Sequence, residues 1–145
     1  MNMDCPFCLI VNDEAPADII NENAFSVELV PLSPVVEGHT IVIPKLHRHT
    51  ALADPSVTAR TMFDAAQWTK KRRPEGAFNF ITSVGEEATQ SVFHLHVHVV
   101  PRAHNDGLAL PWYSGKSKRQ AGTFAERMAQ QSLDAVNHGT WRNKH

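Results

Sequence analysis

The 145-residue chain has only two cysteines, and they stand together at Cys5 and Cys8, so no distant pair exists to staple remote segments. It has no apolar run long enough to span a bilayer. Its start, Met1-Asn2-Met3-Asp4, carries neither a basic region nor a following apolar stretch, so the expected location is cytoplasmic, with no membrane partner. An excess of charge is missing too, with 14 Lys and Arg set against 15 Asp and Glu. A formal charge of −1 exerts no general pull on nucleic acid, so any anionic ligand must be caught by local groups and the expected partner is a small molecule. A phosphate-cradling P-loop is absent as well. Gly115-Lys116-Ser117 ends like one, but Leu110 occupies the position of the first glycine and no buried strand precedes it.

What the chain does contain is His94-Leu95-His96-Val97-His98, three histidines at every second position with apolar residues between them. On a strand, alternate side chains share a face, so the pattern predicts a row of imidazoles on one side and Phe93, Leu95, Val97 and Val99 on the other. Imidazole acts as nucleophile, general base, donor or metal ligand near neutral pH, which makes a polar sheet face a poor explanation of three in register. A catalytic metal held by the strand is one rival reading. For Cys5-Pro6-Phe7-Cys8 the residues alone leave three readings open: a metal knuckle, a redox dithiol or a local disulfide.

Length and an apolar content of 42% fit one compact domain over residues 1–145. Asp18 to Val30 reads as two short strands about a turn at Asn21-Glu22-Asn23, with Phe25, Val27 and Leu29 on one face. Thr40-Ile41-Val42-Ile43, between Gly38 and Pro44, reads as a buried strand. Asp54-Pro55 starts a helix ending near Arg73-Pro74, with Val57, Met62, Phe63 and Ala66 as its apolar stripe and Lys70 to Arg73 as a solvated basic end. Ala77 to Val84 and Ser91 to Val100 read as antiparallel strands about a turn at Gly85 to Gln90. Thr123-Phe124-Ala125-Glu126 opens a C-terminal helix that Gly139 closes. The sum is α+β: an antiparallel sheet of about five strands with a central and a C-terminal helix.

The segment from Gln90 to Arg102 closely resembles the signature of the histidine triad (HIT) superfamily. Gly38 to His47 resembles its upstream strand, and Cys5-Pro6-Phe7-Cys8 the N-terminal knuckle commonest in small bacterial members. The resemblance covers residues 5–102 and leaves 103–145 as a C-terminal extension. It implies the HIT-like fold, a homodimer, and hydrolysis at the α-phosphate of nucleotidyl phosphoramidates or dinucleoside polyphosphates through a covalent nucleotidyl-histidine. By the same resemblance His96 is the nucleophile, His98 and Ser91 assist it, and His39, Gln90, Ser83 and Leu29 bind phosphate and nucleotide. Cys5, Cys8, His47 and His94 then form a structural zinc site, with no organic cofactor. Pro31 stands where Hint-type and Fhit-type members hold the ribose hydroxyls, Ser83 replaces a longer amide or acid, and Thr89 replaces a glycine. For Trp112 three readings stay open: closing the site, meeting a partner subunit, or plain packing. Two other functions fit the same residues: a nucleotide-binding interaction protein with little turnover, and a nucleotidyl transferase.

Overall fold

The computed structural model describes residues 4–110. The chain divides into two units, residues 1–106 and 107–145, and the described sheet and helices belong to the first. The expected C-terminal helix, Trp112 and the basic loop from Lys116 to Arg119 lie outside the described residues.

Five strands form one antiparallel sheet in the order β1-β2-β3-β5-β4: β1 is Ile19–Glu22, β2 Ser26–Leu29, β3 Thr40–Pro44, β4 Ala77–Ile81 and β5 Val97–Arg102. The α+β class and the antiparallel sheet expected from the sequence are present. Among the described residues two α-helices accompany it, α1 over Pro6–Val11 and α2 over Pro55–Arg72.

Register assigns the faces. Leu29 pairs with Ile41, Ile41 with His98, and His98 with Ile81, so these four side chains share one side of the sheet. Glu28, Val42 and Val97 form the next row and point the other way. Against the first face lies α1, whose Phe7 joins Cys5, Cys8, Val27, Leu29, Ile41 and Ile43 in an apolar cluster. Against the second lies α2, whose Ala65 packs with Val42, Val97 and Val99. Strands buried on both faces explain why β2 and β3 show no alternation of exposure.

Several expectations shift in detail. The turn between β1 and β2 falls later than Asn21-Glu22-Asn23, because Asn23 Oδ1 accepts from both the Phe25 and Ser26 amides at 2.8 Å and closes an Asx-type turn there. Phe25 therefore leaves the strand and stands exposed, with the Arg60 guanidinium 4.1 Å above its ring. Asp54 caps α2 as expected, accepting from the Ser56 and Val57 amides, and Pro55 takes the first helical position. The buried face of α2 is Thr61, Asp64, Ala65 and Thr69, whereas Phe63 and Ala66 face outwards. Thr61 and Thr69 reach that face because each hydroxyl donates to the carbonyl four residues back. Asp64 reaches it because Ser26 donates to it from β2 and Arg60 pairs with it along the helix. Arg72 is likewise no solvated end. It bonds both carboxylate oxygens of fully buried Glu28 at 2.6 Å.

The histidine segment departs most instructively. Only Val97 onwards belongs to the ladder, Pro101 lies within β5 rather than ending it, and residues 90–96 run ahead of the strand as an irregular segment.

Candidate functional site

The irregular segment is fixed from the loop between β3 and α2. Leu95 N–H donates to the Arg48 carbonyl at 2.6 Å, and the Gln90 amide donates to the carbonyls of His49 and Val92 at 2.7 and 3.1 Å. Gln90 Oε1 accepts from the Gly85 amide at 2.9 Å, so this buried side chain spends its three bonds on backbone. Thr89 holds φ +71°, in the left-handed region where a β-branched residue is strained, at the turn that delivers Gln90 and Ser91. With Leu95 and Val97 buried, His94, His96 and His98 turn to the α1 side, where Phe7 touches the first two rings and His98 the second. The one-sided row of imidazoles is as the alternation predicts, although Phe93 stands exposed rather than packing behind it.

Hydrogen bonds fix the tautomers. The His94 carbonyl can only accept, so His96 donates to it from Nδ1 at 2.8 Å, and its Nε2 carries the lone pair. His39 Nδ1 accepts from the Val35 amide at 3.1 Å, which puts the proton of a neutral ring on Nε2, 3.0 Å from His98 Nδ1. His98 therefore accepts at Nδ1 and keeps a proton on Nε2. Two neighbouring rings, 5.1 Å apart between centroids, thus offer opposite chemistry: a lone pair on one and an N–H on the other.

Burial pushes His98 down to about 4, with help from the neighbouring charges of His96 and His39, and burial alone lowers His39. Both rings are neutral at pH 7, as these tautomers require. Between pH 6.5 and 4 the unfolded chain binds the proton that folded His98 refuses, so stability falls as pH falls through this window. Thermal melts of wild type over that range should show the fall, and His98→Gln should make it shallower, leaving the share that His94 and His39 contribute in the same direction.

Gly38 delivers His39 to the end of β3 with φ +83°, and a Cβ there would approach Pro101 Cγ to 3.2 Å. Of the remaining residues expected at the nucleotide site, Ser91 is exposed and Ser83 half-buried beyond the end of β4. Leu29 lies inside the apolar cluster, in the same cross-strand row as His98, not at an open surface.

A second centre sits beside the first. The candidate ligand atoms of Cys5, Cys8, His47 and His94 all lie within 4.8 Å of one another. His94 donates from Nε2 to the Pro44 carbonyl at 2.8 Å, which turns an unprotonated Nδ1 towards the group. Nδ1 of His47 is 3.1 Å from His94 Nδ1 and 3.2 Å from Cys8 Sγ; Cys5 and Cys8 Sγ lie 3.4 and 3.7 Å from His94 Nδ1. Tetrahedral zinc with its usual bond lengths has ligand edges of about 3.3 Å between nitrogens and about 3.6 Å between sulfur and nitrogen. These separations fit. Among the described residues no hydrogen bond from outside the centre holds the His47 ring, and its buried Nε2 has no partner, so an ion at Nδ1 is what would order it. Burial pushes the Cys5 thiol up, against the lowering effect of the Cys8 and Phe7 backbone amides, so ionising it here calls for a cation. Burial pushes His94 down to about 4, against the raising effect of the Pro44 carbonyl, keeping it a neutral ligand. The residues fit a closed structural ion of the Cys2His2 kind. Loaded protein should hold one zinc per chain, and stripping it with a strong chelator should lower the melting temperature by about 10 °C.

A short helix thus sets a metal-fitting cluster beside paired imidazoles on an antiparallel sheet. The HIT domain family model matches residues 12–105, and the chain belongs to that family. It is 34% identical over 115 residues to adenosine 5'-monophosphoramidase hnt1 of Schizosaccharomyces pombe, covering 77% of this chain and 85% of that one. It is 28% identical over 137 residues to adenylylsulfatase HINT3 of Arabidopsis thaliana, covering 92% and 68%. Among solved structures it is similar to a zinc-bound histidine triad family protein from Mycobacterium smegmatis, at 32% identity and TM-score 0.67, covering 92% of this chain and 98% of that one.

Sequence reasoning missed three features that build the site. Helix α1 is too short to show a periodicity, although proline directly after Cys5 is a usable start signal. The Gln90 clamp and the Arg48 carbonyl depend on contacts between distant segments, for which the sequence offers no local sign.

Proposed function

We propose that the protein is a nucleotide hydrolase that attacks the α-phosphorus of a nucleotidyl phosphoramidate or dinucleoside polyphosphate with His96 Nε2. The observation that carries this reading is the fixed pair of tautomers: a lone pair on His96 Nε2 beside a proton on His98 Nε2. In the first step the Nε2–phosphorus bond forms and the bond from phosphorus to the leaving nitrogen or oxygen breaks. The His94 carbonyl accepts from Nδ1–H throughout and steadies the positive charge that grows on the ring. His98 donates a hydrogen bond from Nε2 to the leaving atom, which takes its proton from solvent, and water then displaces His96 from phosphorus and releases a proton to solvent. His39 holds His98 in the donating tautomer, and Ser91 and Ser83 bind phosphate oxygens. Gln90 acts through the turn it braces.

The relatives named adenosine 5'-monophosphoramidase and adenylylsulfatase support an adenylyl substrate class. Zinc, held by Cys5, Cys8, His47 and His94, supplies a staple between the first residues and the sheet, and the zinc-bound relative supports that choice of ion. The native assembly in this reading is a cytoplasmic homodimer.

The test is a panel of adenosine phosphoramidate, adenylyl sulfate and diadenosine polyphosphates presented to metal-loaded protein. Release of AMP from at least one of them with multiple turnovers supports the proposal. Tight AMP binding with no turnover of any would instead identify a nucleotide-binding interaction protein.

A further inference from the structure

Among the described residues, Nδ1 alone of the two hydrogen-bonding nitrogens on the His96 ring is engaged, and a ring pinned at one atom can still swing about that bond. Its plane must be set by what packs against its faces and edges. Two rings do so: His98 at 5.1 Å and 73°, and Phe7 at 5.3 Å and 72°. Phe7 also meets His94 at 5.7 Å and 85°, so one aromatic ring stands edge to face against both the expected metal ligand and the proposed nucleophile. Phe7 is nearly buried, and it rides on a six-residue helix that ordinary propensity cannot sustain. What holds that helix is its cluster with β2 and β3 and the two cysteines that flank Phe7 in the sequence.

We infer that Phe7 is a positioning residue that aims His96, passing the order of the Cys5–Cys8–His47–His94 centre to the attacking ring. The inference rests on the reading of His96 as nucleophile, because only an attacking atom needs its ring plane held so closely. Two couplings converge on His96 from the centre. One is short, through the hydrogen bond that the His94 carbonyl accepts from the His96 ring; the other is by packing, through α1 and Phe7. The first fixes which nitrogen attacks. The second fixes where that nitrogen points.

The experiment compares wild type, Phe7→Leu and Phe7→Tyr as zinc-loaded full-length proteins. Three readouts are taken: metal per chain, steady-state constants on whichever substrate the panel identifies, and the imidazole signals of histidine-labelled protein by NMR in the absence of substrate. The Nδ1–H of His96, bonded to carbonyl, should give a protected downfield resonance in wild type. In Phe7→Leu that resonance should broaden or vanish while one zinc per chain is retained, and kcat should fall about tenfold or more with KM nearly unchanged. Phe7→Tyr, which keeps the ring, should restore both. A sharp His96 signal and full kcat in Phe7→Leu would overturn the inference. So would loss of zinc together with kcat, since Phe7 would then serve the centre alone. Failure of the underlying reading is separate: turnover surviving in His96→Ala would remove the nucleophile, whereas the NMR comparison would still report whether Phe7 orders the ring.

Discussion

His96→Ala should lose at least about a thousandfold in kcat while the protein stays folded and keeps its zinc. In the proposed mechanism the substitution removes the atom that forms the covalent bond, and the remaining donors then stabilise charge on a phosphate without its nucleophile. Its effect on KM should be small, because the contacts that hold phosphate in the proposed mechanism come from other residues. His98→Ala tests a different role. It removes a hydrogen-bond donor whose Nε2–H is set by His39, so the expected loss is about a hundredfold, largest for substrates with the most basic leaving group. The ordering of the two variants matters more than either value. If His98→Ala were the more damaging, the assignment of lone pair to His96 and proton to His98 would be reversed. Stopped-flow and steady-state rates on one adenylyl substrate decide it, with circular dichroism and metal content as controls.

Arg72→Leu should cost about 3 kcal/mol of stability, a drop of roughly 10 °C in melting temperature for a chain of this length. Glu28 is fully buried between β1 and β3, with four charge-assisted bonds: two from Arg72 at 2.6 Å and one each from Asn21 and Thr40 at 2.7 Å. Burial alone would raise its carboxyl. The bonds from Arg72, Asn21 and Thr40, with the Arg72 charge, outweigh burial and hold it below the ordinary carboxylate range. Removing Arg72 leaves a buried carboxylate with two neutral donors, which is why the loss of one partner costs far more than the pair is worth. The guanidinium is about a third exposed, so the expected cost sits at the low end for a buried pair. The pH dependence carries a signature. In wild type this stabilisation is present above the unfolded carboxyl value and is lost as pH falls through the depressed folded one. In Arg72→Leu the buried carboxyl prefers its proton, so the deficit against wild type should shrink on acidification. Adding Glu28→Gln to Arg72→Leu should recover much of the loss at neutral pH, since no charge is left buried. A double variant as unstable as Arg72→Leu alone would show that packing of the arginine stem, not the charge, was the term that mattered.

The parts of this fold that are legible in the sequence are those written locally. Asp54-Pro55 announces α2 because a cap and a proline act on the next turn, and the alternation of His94, His96 and His98 predicts a one-sided row because side-chain direction in extended chain has a period of two. The knuckle, strand and histidine segments also resemble the family to which the chain belongs. What stays hidden is set by tertiary partners. The buried face of α2 differs from the expected stripe because Thr61 and Thr69 satisfy their hydroxyls within the helix and so pass as core residues, while Phe63 stays outside. Arg72 reads as a solvated end because its partner, Glu28, lies 44 positions earlier in the chain. The three histidines do not all sit in a strand, since the Arg48 and His49 carbonyls capture residues 90–95 before the ladder begins at Val97. That capture lets the His94 carbonyl accept from the His96 ring, a bond open to a chain that is not committed to a neighbouring strand at this point.

The central claim is that His96 itself becomes bonded to phosphorus, and trapping the intermediate addresses it most directly. Metal-loaded protein is mixed with an adenylyl substrate, quenched in alkali within milliseconds, where a phosphorylated imidazole survives, and digested for mass spectrometry. The expected result is a peptide carrying His96 that has gained one AMP less water, appearing before product in a burst and absent from His96→Ala. Steady product formation with His96 unmodified at every time point would contradict it and point to direct attack by water.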